Sequence, residues 1–365
     1  MTFDSRRLQI DQVLPSLAPR DAIGYHTCKL QEIMRSIGIS SEIFADEIKG
    51  EMNGLARPFR DFVKRRGSPS RYVIYQASTG SPIVQHLMNR PEPLIINFHN
   101  ITPKEILGRW EPQIGIVVGA GVKQLAALGE KAIGAISVSK FNRWCLEQEG
   151  LSKNSLVAAP FIPLPQHNAD RPQPPSFSES RWLFVGRIAP NKAQHDIVLA
   201  FAAYLQAWDP SASLTLVGSI SSQKYADFLT EIIHNLGLES RVTLTGPVTN
   251  SELEEHYRNA TVFVCLSDHE GFGFPIVEAL ARSVPVVAFS SSAIPETLGR
   301  AGMLLSSKQP LAVAAAVSLI EKDRTLRDEL LREARKTLDR YSPETAQAEN
   351  LAALNTLIPE MAGYL

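Results

Sequence analysis

The chain has 365 residues, 44% of them apolar and 21% charged, with a formal net charge of −1. That length exceeds what one hydrophobic core commonly holds, so two domains are expected. The balance is that of an ordinary globular protein, too near neutral to suggest nucleic acid as a partner. The charge is uneven: residues 1–168 carry 20 Lys and Arg against 15 Asp and Glu, and the remainder carries 17 against 23. A basic half beside an acidic half points to different partners for the two. Cys28, Cys145 and Cys265 are too far apart in sequence for a disulfide framework or a zinc motif, which fits a reducing compartment. Residues 1–10 lack the apolar core of a signal peptide, and no stretch approaches the roughly 18 apolar residues of a membrane span. The expected location is the cytoplasm.

In chain order, residues 8–13 read as a strand, followed by a loop with Pro15, Pro19 and Asp21 and a helix over residues 22–37 that Gly38 ends. Residues 41–44 resume as strand. Residues 55–67 are basic, with Arg57, Arg60, Lys64, Arg65 and Arg66 between Leu55, Phe59, Phe62 and Val63. Such a segment could meet anionic lipid as an amphipathic helix, which would bring the protein to the inner face of the membrane; the competing reading is a solvated face. Residues 71–76, 94–98 and 134–139 are further strands, with helical segments between and after them, and residues 155–162 follow. Pro160, Pro163, Pro165, Pro172, Pro174 and Pro175 crowd one polar segment, where a domain linker is expected. The expected domains are residues 1–168, residues 169–340 and closing helices over 341–365.

After the linker a second alternation starts. Strands are expected at residues 182–185, 214–217, 242–244, 261–266, 284–289 and 303–305. Helices fall at 193–208, 225–235, 252–259, 276–282 and near Glu296, and the last fifty residues read as helices only. Apolar strands alternating with amphipathic helices, twice over, imply an α/β chain with two doubly wound parallel sheets. Ligands bind such sheets at the carboxyl ends of strands.

Three segments at those ends carry chemistry. The first runs from Glu270 through Gly271, Phe272, Gly273, Phe274 and Pro275 to Glu278. A glycine turn into a helix start offers amides and a dipole to an anion, and Glu278 could accept hydrogen bonds from a vicinal diol such as ribose. Alternatively, Glu278 is a first-turn acid paired with Arg282, and Glu270 a solvated loop acid. The second runs from Gly186 and Arg187 through Pro190 and Asn191 to Lys192. Its two cations suit a diphosphate, or it is a surface loop that Asn191 caps. The third contains His99 after strand 94–98, poised for a sugar hydroxyl or proton transfer, or simply structural. Gly24 either lets a ligand approach or relieves crowding at a helix entry. Residues 114–121 imitate the start of a dinucleotide fingerprint. Gln124 stands at the third glycine position and no acidic ribose binder follows, which argues against a nicotinamide dehydrogenase.

The loop from Gly186 to Lys192, the Glu270-(seven residues)-Glu278 spacing and the element order after Arg181 together resemble the retaining glycosyltransferases of family 4. The segments His99–Pro103 and Ser137–Asn142 resemble members more loosely, and Ala22-Ile23-Gly24 stands where many members carry paired glycines. The resemblance implies a GT-B architecture: two Rossmann-like domains facing across a cleft, an acceptor-side first domain, a donor-binding second, and a C-terminal helix crossing back. It further implies a nucleotide-diphosphate sugar as donor and a hydroxyl acceptor, with no metal or other cofactor required. Arg187 and Lys192 would neutralise the diphosphate. Glu278 would bind the ribose and Glu270 the transferred sugar. Gly186, Gly271, Phe272, Gly273, Phe274 and Gly24 would line the donor site, and His99 the active site from the opposite domain. By analogy the acceptor attacks the face that the diphosphate leaves, and a leaving-group oxygen takes its proton. The competing route uses Glu270 as a covalent nucleophile. A non-catalytic sugar-nucleotide-binding subunit and a sugar-nucleotide epimerase are the other readings.

Overall fold

The computed structural model describes residues 8–151, 154–165 and 179–365. Its backbone divides into two compact units. The first comprises residues 1–104, 113–163 and 341–365; the second comprises residues 105–112 and 164–340. The boundary expected at residues 168 and 169 lies outside the described residues, as do Pro172, Pro174 and Pro175 of the expected linker. Residues 105–112, expected in the first domain, are counted with the second unit.

The first unit is built on β1 (Gln9–Leu17), β2 (Ile43–Ile48), β3 (Arg57–Pro58), β4 (Arg71–Ala77), β5 (Leu94–Phe98), β6 (Ala132–Ser137) and β7 (Ser155–Val157), in the spatial order β3-β2-β1-β4-β5-β6-β7. All pairings are parallel. Strand β1 is longer than expected and contains Pro15. It pairs with β4 only from Gln9 to Val13 but with β2 as far as Leu17. The missing amide proton of Pro15 therefore points to the side where the ladder has ended, and costs no hydrogen bond. Strand β2 starts later than expected, at Ile43, and β7 is only three residues long.

Residues 114–121 lie wholly inside the helix Pro112–Lys131, so the glycine pattern there is not a strand-to-helix turn. Packing is its reason: a Cβ on Gly121 would lie 2.5 Å from Gly80 N. The helix Pro343–Leu357 belongs to the first unit, with Ala346, Leu351, Leu354 and Leu357 in one cluster with Ile10, Leu30, Ile74 and Ile95. Polar ties accompany it. Glu349 accepts from Ala159 N at 2.8 Å, and Tyr364 Oη accepts from Leu8 N at 2.7 Å.

The second unit holds β8 (Arg181–Val185), β9 (Ser213–Val217), β10 (Val242–Gly246), β11 (Val262–Cys265), β12 (Val286–Phe289) and β13 (Met303–Leu305), ordered β10-β9-β8-β11-β12-β13 and again all parallel. Strands buried on both faces explain the unbroken apolar runs. The order reverses between β8 and β11, whose carboxyl ends are adjacent. Doubly wound sheets commonly bind ligands at such a switch point. The helix Pro310–Lys322 is anchored from behind by Glu321, which accepts from Ser180 Oγ at 2.6 Å, Thr261 Oγ1 at 2.7 Å and Tyr204 Oη at 2.5 Å.

Candidate active site

The loop leaving β8 begins at Gly186, which takes φ +152°, and Gly218, just after β9, takes φ +148°. These conformations are open to glycine at little cost. A Cβ on Gly218 would sit 2.1 Å from Gly186 O, so the two loops touch through bare backbone. Gly218→Ala is expected to destabilise the chain by roughly 2–3 kcal/mol and to displace the Gly186–Arg187 turn. Thermal denaturation checks it, and an unshifted melting temperature would show that the turn tolerates a side chain.

Beyond Gly186, Arg187 is exposed and its Nη1 lies 3.5 Å from Ser221 Oγ. The chain then makes the short 3₁₀ turn Pro190–Lys192, and Ala193 enters the helix Gln194–Ala207 at φ +49°. Asn191 is not the cap of that helix. It is buried, its carbonyl accepts from Asp268 N at 2.9 Å, and its Nδ2 donates to His269 O at 3.2 Å. Asn191 therefore stitches the β8 loop to the β11 loop, which brings the two sequence motifs together.

Lys192 and Glu270 meet there. Lys192 Nζ lies 2.7 Å and 2.8 Å from the two carboxylate oxygens of Glu270, with side chains 15% and 10% exposed. Ser267 Oγ donates to Glu270 Oε1 at 2.8 Å, and Glu270 N donates to Ser292 Oγ at 2.8 Å. Glu270 is thus no solvated loop acid but the buried counter-ion of Lys192. Ser267 and Ser292 were invisible as site residues, because a serine near a strand end has many other uses. On the same rim Lys308 Nζ pairs with Asp196 Oδ2 at 3.0 Å and with Asp268. Burial holds the His269 imidazole down to about 4, so it is uncharged at neutral pH.

Past Glu270 the glycine turn behaves as expected. Gly273, at φ +96°, starts the helix Phe274–Ala281 with Pro275 in its first turn. The Phe272 carbonyl accepts from Thr297 Oγ1 at 2.5 Å, and the Phe272 and Phe274 rings lie 5.2 Å apart, with Gly271 leading into the turn. Glu278 lies past the first turn, and its carboxylate is not paired with Arg282. The Arg282 guanidinium instead reaches the Glu254 carboxylate, stacks 4.6 Å over the Tyr257 ring and donates to the Glu278 backbone carbonyl at 3.0 Å. Glu278 Oε2 accepts from Tyr257 Oη at 2.9 Å, and burial pushes the carboxyl above the usual glutamate value. The i,i+4 pair expected as the alternative is therefore absent, since Glu254 on the neighbouring helix Asn250–Asn259 competes for the guanidinium.

In the first unit, His99 follows β5 and its Nε2 lies 2.7 Å from Gln76 Oε1. Asn100, at φ +89°, donates through Nδ2 to Asn142 Oδ1 at 2.7 Å. Gly24 sits inside the helix Ala22–Ser36, its amide capped by Asp21 Oδ2 at 2.9 Å. A Cβ there would approach Leu17 Cδ1, the end of a flexible side chain, to 3.0 Å, so the packing at this helix entry is tight. In the basic segment, Phe59 and Phe62 are buried. Arg65 lies 3.2 Å from Asp11 Oδ2, and Arg57 lies 3.2 Å from Glu42 Oε1. Of the apolar residues expected to meet lipid, Phe59 and Phe62 are turned into the core while Leu55 and Val63 are exposed, and the helix there, Phe59–Lys64, is only six residues long. Among the described residues, no helix is long and apolar enough to cross a membrane, and no group of three potential His, Cys, Asp or Glu metal ligands occurs.

Residues 168–337, which contain every second-unit residue of this site, match the sequence model of the family described as Glycosyl transferases group 1. Over 153 residues the chain is 33% identical to the GDP-mannose-dependent alpha-(1-6)-phosphatidylinositol monomannoside mannosyltransferase of Mycobacterium tuberculosis, a match covering 39% of each protein. Over 137 residues it is 39% identical to the D-inositol 3-phosphate glycosyltransferase of Kineococcus radiotolerans, covering 36% of this chain and 31% of that one. The chain spans about two-fifths or less of the length of these curated relatives. Among solved structures, HepE of Anabaena in complex with UDP and glucose superposes with a TM-score of 0.72 at 18% identity, over 96% of this chain and 100% of that one. Sucrose-phosphate synthase from Thermosynechococcus elongatus superposes at 0.73 and 17% identity, over 96% and 100%. The fold is the two-domain α/β fold seen in GT-B glycosyltransferases, and the similarity to glycosyltransferase sequences falls on residues 168–337.

Proposed function

We propose that the chain transfers a hexose-type sugar from a nucleotide-diphosphate donor to a hydroxyl acceptor with retention of anomeric configuration, as in family 4. The observation that carries this is the buried Lys192–Glu270 pair at the carboxyl ends of β8 and β11. A lysine held by a carboxylate in a water-poor rim can turn to a diphosphate as negative charge develops on it. Arg187, exposed on the same loop, supplies the second cation, so the reading requires no metal. The start of the helix Phe274–Ala281 adds amides and a dipole to the anion site, and Glu278 takes the ribose hydroxyls. His99 accepts a hydrogen bond from a sugar hydroxyl.

In this reading the bond between anomeric carbon and phosphate breaks, both electrons leave with the diphosphate, and the acceptor oxygen bonds to the face just vacated. The acceptor's proton passes to a diphosphate oxygen. Glu270 is a poor nucleophile as it stands, because both its oxygens are bonded by Lys192 and one also by Ser267. Its role is to hold Lys192 and to contact the transferred sugar. The place of action is the cytoplasm. The two relatives named above have an inositol-based acceptor in their names, so a cyclitol is the first acceptor to try.

The test is a panel of UDP-, GDP- and TDP-sugars, measured by calorimetry for binding and by NMR for slow hydrolysis and for the anomer formed. One donor bound, hydrolysed and transferred with retention is the expected result. An inverted product would overturn retention. Binding without hydrolysis or transfer would make the chain a non-catalytic sugar-nucleotide-binding subunit, and no binding at all would overturn the site.

A further inference from the structure

His99 stands at the end of a hydrogen-bond chain that crosses the first unit's sheet. The Thr27 carbonyl, in the helix Ala22–Ser36, accepts from Gln12 Nε2 at 2.9 Å. Gln12 Oε1 accepts from Gln76 Nε2 at 2.8 Å, and Gln76 Oε1 lies 2.7 Å from His99 Nε2. Thr27, Gln12 and Gln76 are each 0% exposed. Burying two glutamine amides costs more than an apolar pair of the same size unless each group is satisfied. A function that uses their polarity explains why they are there.

The polarity follows from one fact: a backbone carbonyl only accepts. Gln12 must therefore present its NH₂ to Thr27, which leaves Oε1 for Gln76. Gln76 must then give its NH₂ to Gln12, which leaves its own Oε1 for the histidine. An amide oxygen only accepts, so His99 Nε2 carries the proton. The reverse orientation of either amide would set two oxygens against each other.

We propose that Gln12 and Gln76 are positioning residues that hold His99 in its neutral Nε2–H tautomer, leaving the Nδ1 lone pair as the ring's acceptor for a substrate hydroxyl. The last clause rests on the reading of His99 given under the proposed function. The surroundings keep the ring uncharged. Burial and the neighbouring His26 ring, 5.3 Å away, lower its pKa well below the ordinary histidine value. His26 is itself neutral at pH 7, held down to about 4 by burial, and its Nδ1 accepts from Phe161 N at 3.3 Å. A neutral acceptor suits a sugar hydroxyl, whereas an imidazolium would donate and would oppose positive charge developing on the sugar ring.

The experiment is long-range ¹H–¹⁵N correlation NMR on the full chain labelled with ¹⁵N-histidine, with His99 assigned by the signal lost in His99→Asn. The expected spectrum has a protonated-type nitrogen at Nε2 and an unprotonated one at Nδ1. Gln76→Leu should lower the Nε2–H population and raise that of Nδ1–H, because the Nε2 proton loses its acceptor. A wild-type Nδ1–H tautomer, or an unchanged spectrum in Gln76→Leu, would overturn the proposal. The wild-type spectrum decides the tautomer even where a variant fails to fold. No substrate is needed, so the result is independent of whether the chain proves to be a transferase. Once a donor is known, a raised KM for it in Gln76→Leu ties the tautomer to recognition; an unchanged KM would strike the substrate clause alone.

Discussion

Lys192→Ala is expected to lower sugar transfer by about 10²–10³-fold, the scale of removing one preorganised charge-stabilising group. The side chain is positioned for this by more than its own loop. Asn191 ties that loop to the β11 loop, and Glu270 holds the ammonium through both carboxylate oxygens. Glu270, when Lys192 is truncated, is left as a nearly buried carboxylate bonded by Ser267, which is costly. The single variant should therefore lose stability as well as activity. Lys192→Ala combined with Glu270→Gln separates the two effects: removing the orphaned charge should recover most of the melting temperature while transfer stays low. If the double variant regained transfer, or if Lys192→Ala turned over at the wild-type rate, Lys192 would not be the group that meets the diphosphate. Arg187→Ala is expected to cost at least about tenfold with little change in stability, because Arg187 is exposed and is not part of the buried pair.

Much of this site was legible in the sequence because each motif sits where a buried parallel strand ends, and such strands read as unbroken apolar runs. The runs at residues 182–185 and 261–266 located both loops before any contact was known. Glycine at 273 and proline at 275 announced the turn into a helix for reasons of backbone conformation that do not depend on neighbours. The partners were not legible, since they come from elements distant in sequence. Tyr257 reaches Glu278 from another helix, and Ser292 reaches the Glu270 amide from the segment after β12. The i,i+4 spacing of Glu278 and Arg282 suggested a pair that Glu254 takes over in the folded chain. Nothing in the sequence around Gly218 sets it apart from other strand-end glycines, because its contact is with Gly186, which follows a different strand. Gln12 and Gln76 carry no periodic or spacing signal at all. In the basic segment, the sequence pattern was amphipathic as read, but the core of the same unit, not lipid, covers Phe59 and Phe62.

Glu278→Gln is expected to weaken nucleotide binding by at least about tenfold while leaving the chain as stable or more so. The wild-type carboxyl is pushed above the ordinary glutamate value, first by burial and further by Glu254, against the Tyr257 hydrogen bond and the Arg282 charge. Its folded-state pKa therefore exceeds the unfolded one, so between the two values the native state binds more protons. Stability then falls as pH rises through that window, and the full penalty of the buried charge is present above the folded-state value. A glutamine still accepts from Tyr257 Oη but carries no charge, so the penalty goes. It also offers a single acceptor oxygen where a vicinal diol needs two, so binding goes with it. Calorimetry with the nucleoside diphosphate and thermal melts at weakly acidic and neutral pH check both halves together. Wild-type affinity should also fall as the pH is lowered towards the ordinary glutamate value, because protonation of Glu278 starts early. Undiminished affinity in Glu278→Gln would return this carboxylate to a purely structural role beside Tyr257. A large loss of stability in the variant would show instead that the ionised carboxylate is well compensated by Tyr257 and Arg282, and that its burial is no hindrance to folding.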